Sequence, residues 1–153
     1  MNAKNNAATQ VMMATREYGM SSVLFRNAVG RRLGLSTTDS ECFSLLSIKG
    51  IATPTEIARY TGLTTGSTTA MLDRLEKANM ITRKPNPHDR RGVLIEINKK
   101  AMKAFIPLSS GVMKAQTELL ASYSEAELAT IADFLTRFST NVTDYAKTIA
   151  KSK

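Results

Sequence analysis

The chain has one cysteine and one histidine among 153 residues. A single thiol, Cys42, permits no intramolecular disulfide. One histidine and one cysteine far apart in sequence make no zinc site without carboxylates, and no metal-ligand spacing is visible. No apolar run approaches the roughly 18–20 residues of a membrane span. Residues 1–10 are polar, without a signal-peptide core, so a cytoplasmic protein with no membrane partner is expected. Internal repeats and low-complexity segments are lacking. So are a nucleophile–base set and a paired-carboxylate signature. Gly62–Thr68 is rich in glycine and threonine but has no lysine where a phosphate-cradling loop requires one. No enzyme, metal or cofactor is therefore expected.

What is present points elsewhere. With 42% hydrophobic and 22% charged residues, the composition is that of a globular chain long enough to bury a core. The formal charge of +8 and pI near 9.8 favour a polyanionic partner, through attraction and release of condensed counterions. A basic, solvated surface without a partner would have the same charge. The surplus is uneven: Lys and Arg outnumber Asp and Glu across residues 54–100, and the balance reverses across 121–147.

The periodicities predict a mainly α chain with a small β-hairpin, an α+β class. From about Thr9, Met12 or Met13, Tyr18, Val23 with Leu24, and Leu33 share a broad apolar stripe of one long helix, weakened by Gly19 and Gly30. After a break at Gly34, Ser36 or Thr37 caps a short helix whose apolar members are Cys42, Phe43, Leu45 and Leu46. Ile48–Ala52 reads as a connection. Asn98 caps a helix from Lys99 to about Tyr123, with a kink expected near Phe105 from Pro107. Ser124 and Glu127 form a capping box. Beyond it Leu128, Ile131, Leu135, Phe138, Val142, Tyr145 and Ile149 alternate spacings of three and four, the narrow seam of a helix that packs on a partner helix.

The middle of the chain holds the densest signals. Thr53 is an N-cap, Pro54 fits the first helical position, and Glu56 closes a capping box. Gly62 ends that helix after two turns. Thr64 or Thr65 caps the next, which runs to about Ala78. Its core side is expected to hold Thr68 or Thr69, Leu72 and Leu75; the opposite side holds Gly66, Ser67, Ala70 and Arg74, with Met71 at the edge. Small, hydrogen-bonding and cationic groups on an exposed face can approach a groove floor without collision. Met80–Lys84 and Val93–Ile97 read as strands around an irregular loop, Pro85–Gly92, tipped with charge. Two short helices, a tight turn and a basic hairpin make a winged helix-turn-helix, which lays one helix in the DNA major groove. The predicted organisation is residues 1–34 and 99–153 as N- and C-terminal helical parts of a dimerisation region, flanking a DNA-binding domain at 35–98.

Taken together, Leu63-Thr64-Thr65-Gly66-Ser67, Leu72-Asp73-Arg74-Leu75-Glu76-Lys77 and Pro87-His88-Asp89-Arg90-Arg91 before the strand at 93–97 resemble the MarR family of bacterial transcriptional regulators. The resemblance covers about residues 35–100 by motif. It implies a homodimer with interleaved terminal helices, two winged-helix lobes, and a palindromic double-stranded DNA operator. It also implies release by a small phenolic ligand or by cysteine oxidation, and most often a repressor.

On this reading Thr65, Gly66, Ser67 and Ala70 face base edges within a DNA-binding segment that also includes Thr64 and Thr68, although hydroxyls read bases only modestly. Arg74 touches a phosphate or base; its bland alternative is a solvated partner for Glu76 or Asp73. Arg83 and Lys84 add phosphate contacts. Arg90 and Arg91 reach the minor groove or its flanking phosphates, with Asp89 holding an arginine by a charge-assisted bond; the family's Asp-x-Arg falls on Asp89 and Arg91. His88 is a bystander. Cys42, on an apolar face, is expected to be buried with a raised pKa and little reactivity. Met102, Phe105 and Ile106 line either core or an effector pocket, and core is the commoner use of such a stripe. The alternative function is a winged helix used for nucleic-acid or protein interaction without operator specificity.

Overall fold

Hydroxyl caps set the start of each helix between residues 36 and 77. In this computed structural model, which describes residues 3–151 and gives only the backbone of Ala3, Lys4, Arg90, Arg91 and Lys151, Ser36 caps α2 (Thr37–Lys49). Thr53 caps α3 (Pro54–Thr61) and Thr64 caps α4 (Thr65–Lys77). The first two are closed capping boxes, with Asp39 and Glu56 returning the bond to the cap N–H. Each such cap is worth about 1 kcal/mol. Gly62 leaves α3 with φ 71° and ψ 12°, a left-handed turn that a β-carbon would strain.

Before these lies α1 (Ala3–Leu33), one uninterrupted helix that begins earlier than its stripe predicts. Gly30, which the sequence offers as a weak point, is where α1 packs closely on α2: a Cβ there would stand 2.2 Å from Ser40 Oγ.

After α4 come β2 (Ile81–Asn86) and β3 (Asp89–Ile97), then α5 (Lys99–Leu120) and α6 (Glu125–Lys151). Ile51–Ala52 corrects the sequence reading: it is not a plain connection but a short strand, β1, that pairs antiparallel with β3 and makes a three-stranded sheet of order β1-β3-β2. The hairpin also corrects the expected loop. Its strands continue through Pro85, which pairs in register with Val93, to a turn at Pro87–His88, with one irregularity between Pro85 and Asn86. Proline is tolerated because β2 is an edge strand.

The core gathers residues from seven elements around Leu46, Ile57, Leu72 and Ile95. Burying each of these large side chains contributes roughly 1.5–3 kcal/mol. Met71, placed at an edge by the sequence, is 2% exposed and belongs to this core. Phe43 meets Phe105 edge-to-face at a centroid distance of 5.4 Å, and Met102 packs beside them, so the front of that stripe is core.

The chain divides into two compact units at Ser109/Ser110. Within the second, α5 closes at Leu120 and α6 opens with the Ser124–Glu127 capping box. Phe134 and Phe138 lie 5.7 Å apart on α6. Along the same helix Leu135, Val142, Tyr145 and Ile149 are exposed.

Candidate nucleic-acid interface

The face of α4 is set by which of its hydroxyls are spent. Thr64 Oγ1 accepts the Ser67 N–H at 3.2 Å, and the two hydroxyls are 3.0 Å apart. Thr68 is a correction. It is 2% exposed, and its hydroxyl is bonded back to the Thr64 carbonyl at 2.9 Å. It faces the core with Met71, Leu72 and Leu75 and leaves the set of groups able to meet a ligand. Thr65, Gly66, Ser67, Ala70 and Arg74 are exposed, joined by Thr69, Asp73 and Lys77, which the sequence reading did not include. Exposed helix positions between the core-facing ones are the signal that would have found them.

Arg74 is paired with a residue 35 positions away. Its Nη2 donates to Asp39 Oδ1 at 2.6 Å, not to the neighbouring Glu76 or Asp73. The Asp39 side chain is 8% exposed and that of Arg74 57%. Burial raises the Asp39 pKa, but the bonds from Arg74 and Ser36 outweigh it and hold the carboxyl below its usual range. The capping pattern from Ser36 to Asp39 could have flagged the acid; nothing local in sequence indicates its partner.

Arg83 is likewise paired within the protein. Nη2 reaches Asp73 Oδ1 at 2.7 Å, and Nη1 reaches Glu76 Oε2 at 2.5 Å. One guanidinium thus ties the first strand of the wing to two carboxylates one turn apart on α4. Lys84 pairs with Glu96 at 2.8 Å, its diagonal neighbour across β2 and β3, and remains half exposed.

At the tip, Asn86 Oδ1 accepts the His88 N–H at 3.0 Å, a local turn bond. Asp89 is exposed, and its carboxylate lies over Gly92: a Cβ on that glycine would be 3.1 Å from Asp89 Oδ2. The backbone of Arg90 and Arg91 belongs to β3; their expected groove contacts concern side chains outside the described ones. Cys42 is fully buried, and burial chiefly, with the charge of Asp39, pushes its thiol up to about 12. Among the described residues, no group of three or more His, Cys, Asp or Glu could hold a metal ion, and no helix is long and apolar enough to cross a membrane.

A short helix, a left-handed glycine turn, a second helix with a small and cationic outer face, and a hairpin clamped to that helix define a winged helix-turn-helix of the DNA-binding class. The relatives agree. Residues 35–93 match the model of the MarR family. Over 138 residues the chain is 38% identical to the uncharacterized HTH-type transcriptional regulator YcgE of Bacillus subtilis (strain 168), covering 88% of this chain and 87% of that protein. Among solved structures it is similar to the transcriptional regulator Tm0710 from Thermotoga maritima (18% identity, 91% of this chain, 98% of the other, TM-score 0.60). NadR in complex with 4-hydroxyphenylacetate is also similar (18% identity, 90% and 93% covered, TM-score 0.58). The chain belongs to the MarR family and is a DNA-binding transcriptional regulator, not an enzyme.

Proposed function

We propose that the protein acts in the cytoplasm as a homodimeric repressor that binds a palindromic operator and occludes a promoter. The observation that carries this reading is the exposed side of α4, where Thr65, Gly66, Ser67, Ala70 and Arg74 present small, hydroxyl and cationic groups. Such a face fits a major groove sterically and electrostatically. The net charge of +8 supports a polyanionic partner. Phosphate contacts are assigned to Lys84 and to Arg90 and Arg91 of the wing, with Thr64 at the helix start. Asp89 is assigned to ordering the wing tip.

The dimer is proposed from apolar side chains exposed in the single chain: Met12, Tyr18, Leu24 and others on α1, and Leu135, Val142, Tyr145 and Ile149 on α6. A second copy would cover them. Two-fold binding in successive major grooves requires recognition helices about 34–36 Å apart. Release of DNA is proposed to follow a change in that spacing on binding a small aromatic molecule, the chemical class of the ligand in the NadR complex.

The test is selection of bound sites from a random duplex pool at physiological salt, with Arg91→Ala alongside. An enriched palindrome with half-sites one helical turn apart, weakened by the variant, is the expected result. Binding that enriches nothing and simply fades as salt rises would favour the alternative module without operator specificity.

A further inference from the structure

We propose that Asp39 is a positioning residue of the DNA interface: its carboxylate fixes the orientation of Arg74 and so sets how sharply the protein discriminates its site from other DNA. The inference rests on the assignment of α4 to the major groove.

The pair is asymmetric. The acid is sealed in the protein, while more than half of the arginine side chain stays in water. The carboxylate is held at both oxygens: Oδ1 takes Arg74 Nη2 at 2.6 Å and Oδ2 takes the Ser36 N–H at 3.4 Å. Its helix is seated in turn, because Ser40, one residue on, packs against Gly30 of α1 with its hydroxyl bonded to the Ser36 carbonyl at 2.8 Å. A carboxylate so fixed orients the planar guanidinium bonded to it. A guanidinium has five N–H donors, and the bond to Asp39 uses one. The exposed remainder can meet a base edge or a phosphate with the ion pair intact.

Ordering a long side chain beforehand lowers the entropy lost when it binds. Neutralising its charge lowers its attraction to any phosphate. Both effects favour one correct site over random DNA, which is what a positioning role requires. A pair that merely hid the arginine would not leave it half exposed.

The experiment uses the full chain, the operator recovered by selection with the unaltered protein, and a random duplex of equal length. Affinities and salt slopes are measured for Asp39→Asn, Arg74→Ala, the double variant and Arg74→Lys, with thermal melts to establish folding. Asp39→Asn is expected to weaken operator binding about tenfold while random-DNA affinity stays within about twofold. In the Arg74→Ala background it is expected to cost nothing more. Arg74→Lys leaves the α2 cap intact and keeps the charge, but an ammonium has no plane to fix. It is expected to lose the same discrimination, and it decides the matter if Asp39→Asn does not fold. Equal losses on operator and random DNA, additive losses in the double variant, tighter binding of both DNAs, or wild-type discrimination by Arg74→Lys would each overturn the proposal. If the unaltered protein enriches no site, the operator reading fails first and this proposal falls with it, before any variant is made.

Discussion

Gly30 and Ser40 are in a contact with no room for a methyl group. A Cβ on Gly30 would stand 2.2 Å from Ser40 Oγ and 3.3 Å from Ser40 Cβ. Turning the hydroxyl aside breaks its bond to the Ser36 carbonyl. Gly30→Ala is therefore expected to destabilise the protein by about 1–2 kcal/mol, despite the better helix propensity of alanine. In a Ser40→Ala background the oxygen is gone, and the same change is expected to be neutral or stabilising. Urea unfolding of the four proteins checks the sign reversal.

The double grip of Arg83 on Asp73 and Glu76 predicts a particular form of DNA-binding defect. Arg83→Ala is expected to lower stability by about 1 kcal/mol, since the pairs are partly exposed. It is also expected to weaken operator binding by loosening the wing from α4. The salt slope of binding should stay unchanged, because the charge removed was already neutralised within the protein. Loss of a true phosphate contact would reduce that slope by about one, and a slope titration separates the two.

Glu56 gives the molecule an acid-sensitive joint. Its pKa is lowered from 4.5 to about 2, first by the bond from Lys49 and then by those from Thr53. A carboxylate depressed on folding contributes stability that is present in full above about 4.5 and is lost as pH falls through about 2. The unaltered protein should thus lose more stability between pH 6 and pH 2.5 than Glu56→Gln does. Denaturant midpoints at the two pH values provide the comparison.

Cys42 predicts inertness. With a buried thiol raised to about 12, the native protein should react with iodoacetamide at pH 8 no faster than it opens, and addition of denaturant should restore ordinary thiol rates. Rapid labelling of the folded protein would contradict the burial assigned to α2.

The parts legible in sequence are those whose physics is local. Thr53 with Glu56, Ser124 with Glu127, the cap at Thr64 and the turn at Gly62 each depend on side chains within a few residues, and each is found where the spacing places it. The exposed side of α4 was legible for the same reason, since helical period fixes which residues share a face. Met71 shows where this stops: a periodicity names a face, but the width of the buried side depends on what packs against it. Pro85 misled because proline opposes strands in general, whereas its edge position removes the objection. Ile51–Ala52 is too short for any alternation, and only pairing with β3 makes it a strand. The partners of Arg74 and Arg83 were hidden by distance along the chain. Charges 35 and 7–10 residues away become neighbours only after folding.

The proline in β2 has a further consequence. The outer side of β2 is an open edge, and open edges invite pairing with another chain. Here that edge strand holds Arg83, Lys84 and Pro85 in succession, and its register breaks immediately afterwards. Proline offers no N–H, and the irregularity spoils the spacing. The β2 edge is therefore a poor template for pairing with a second copy.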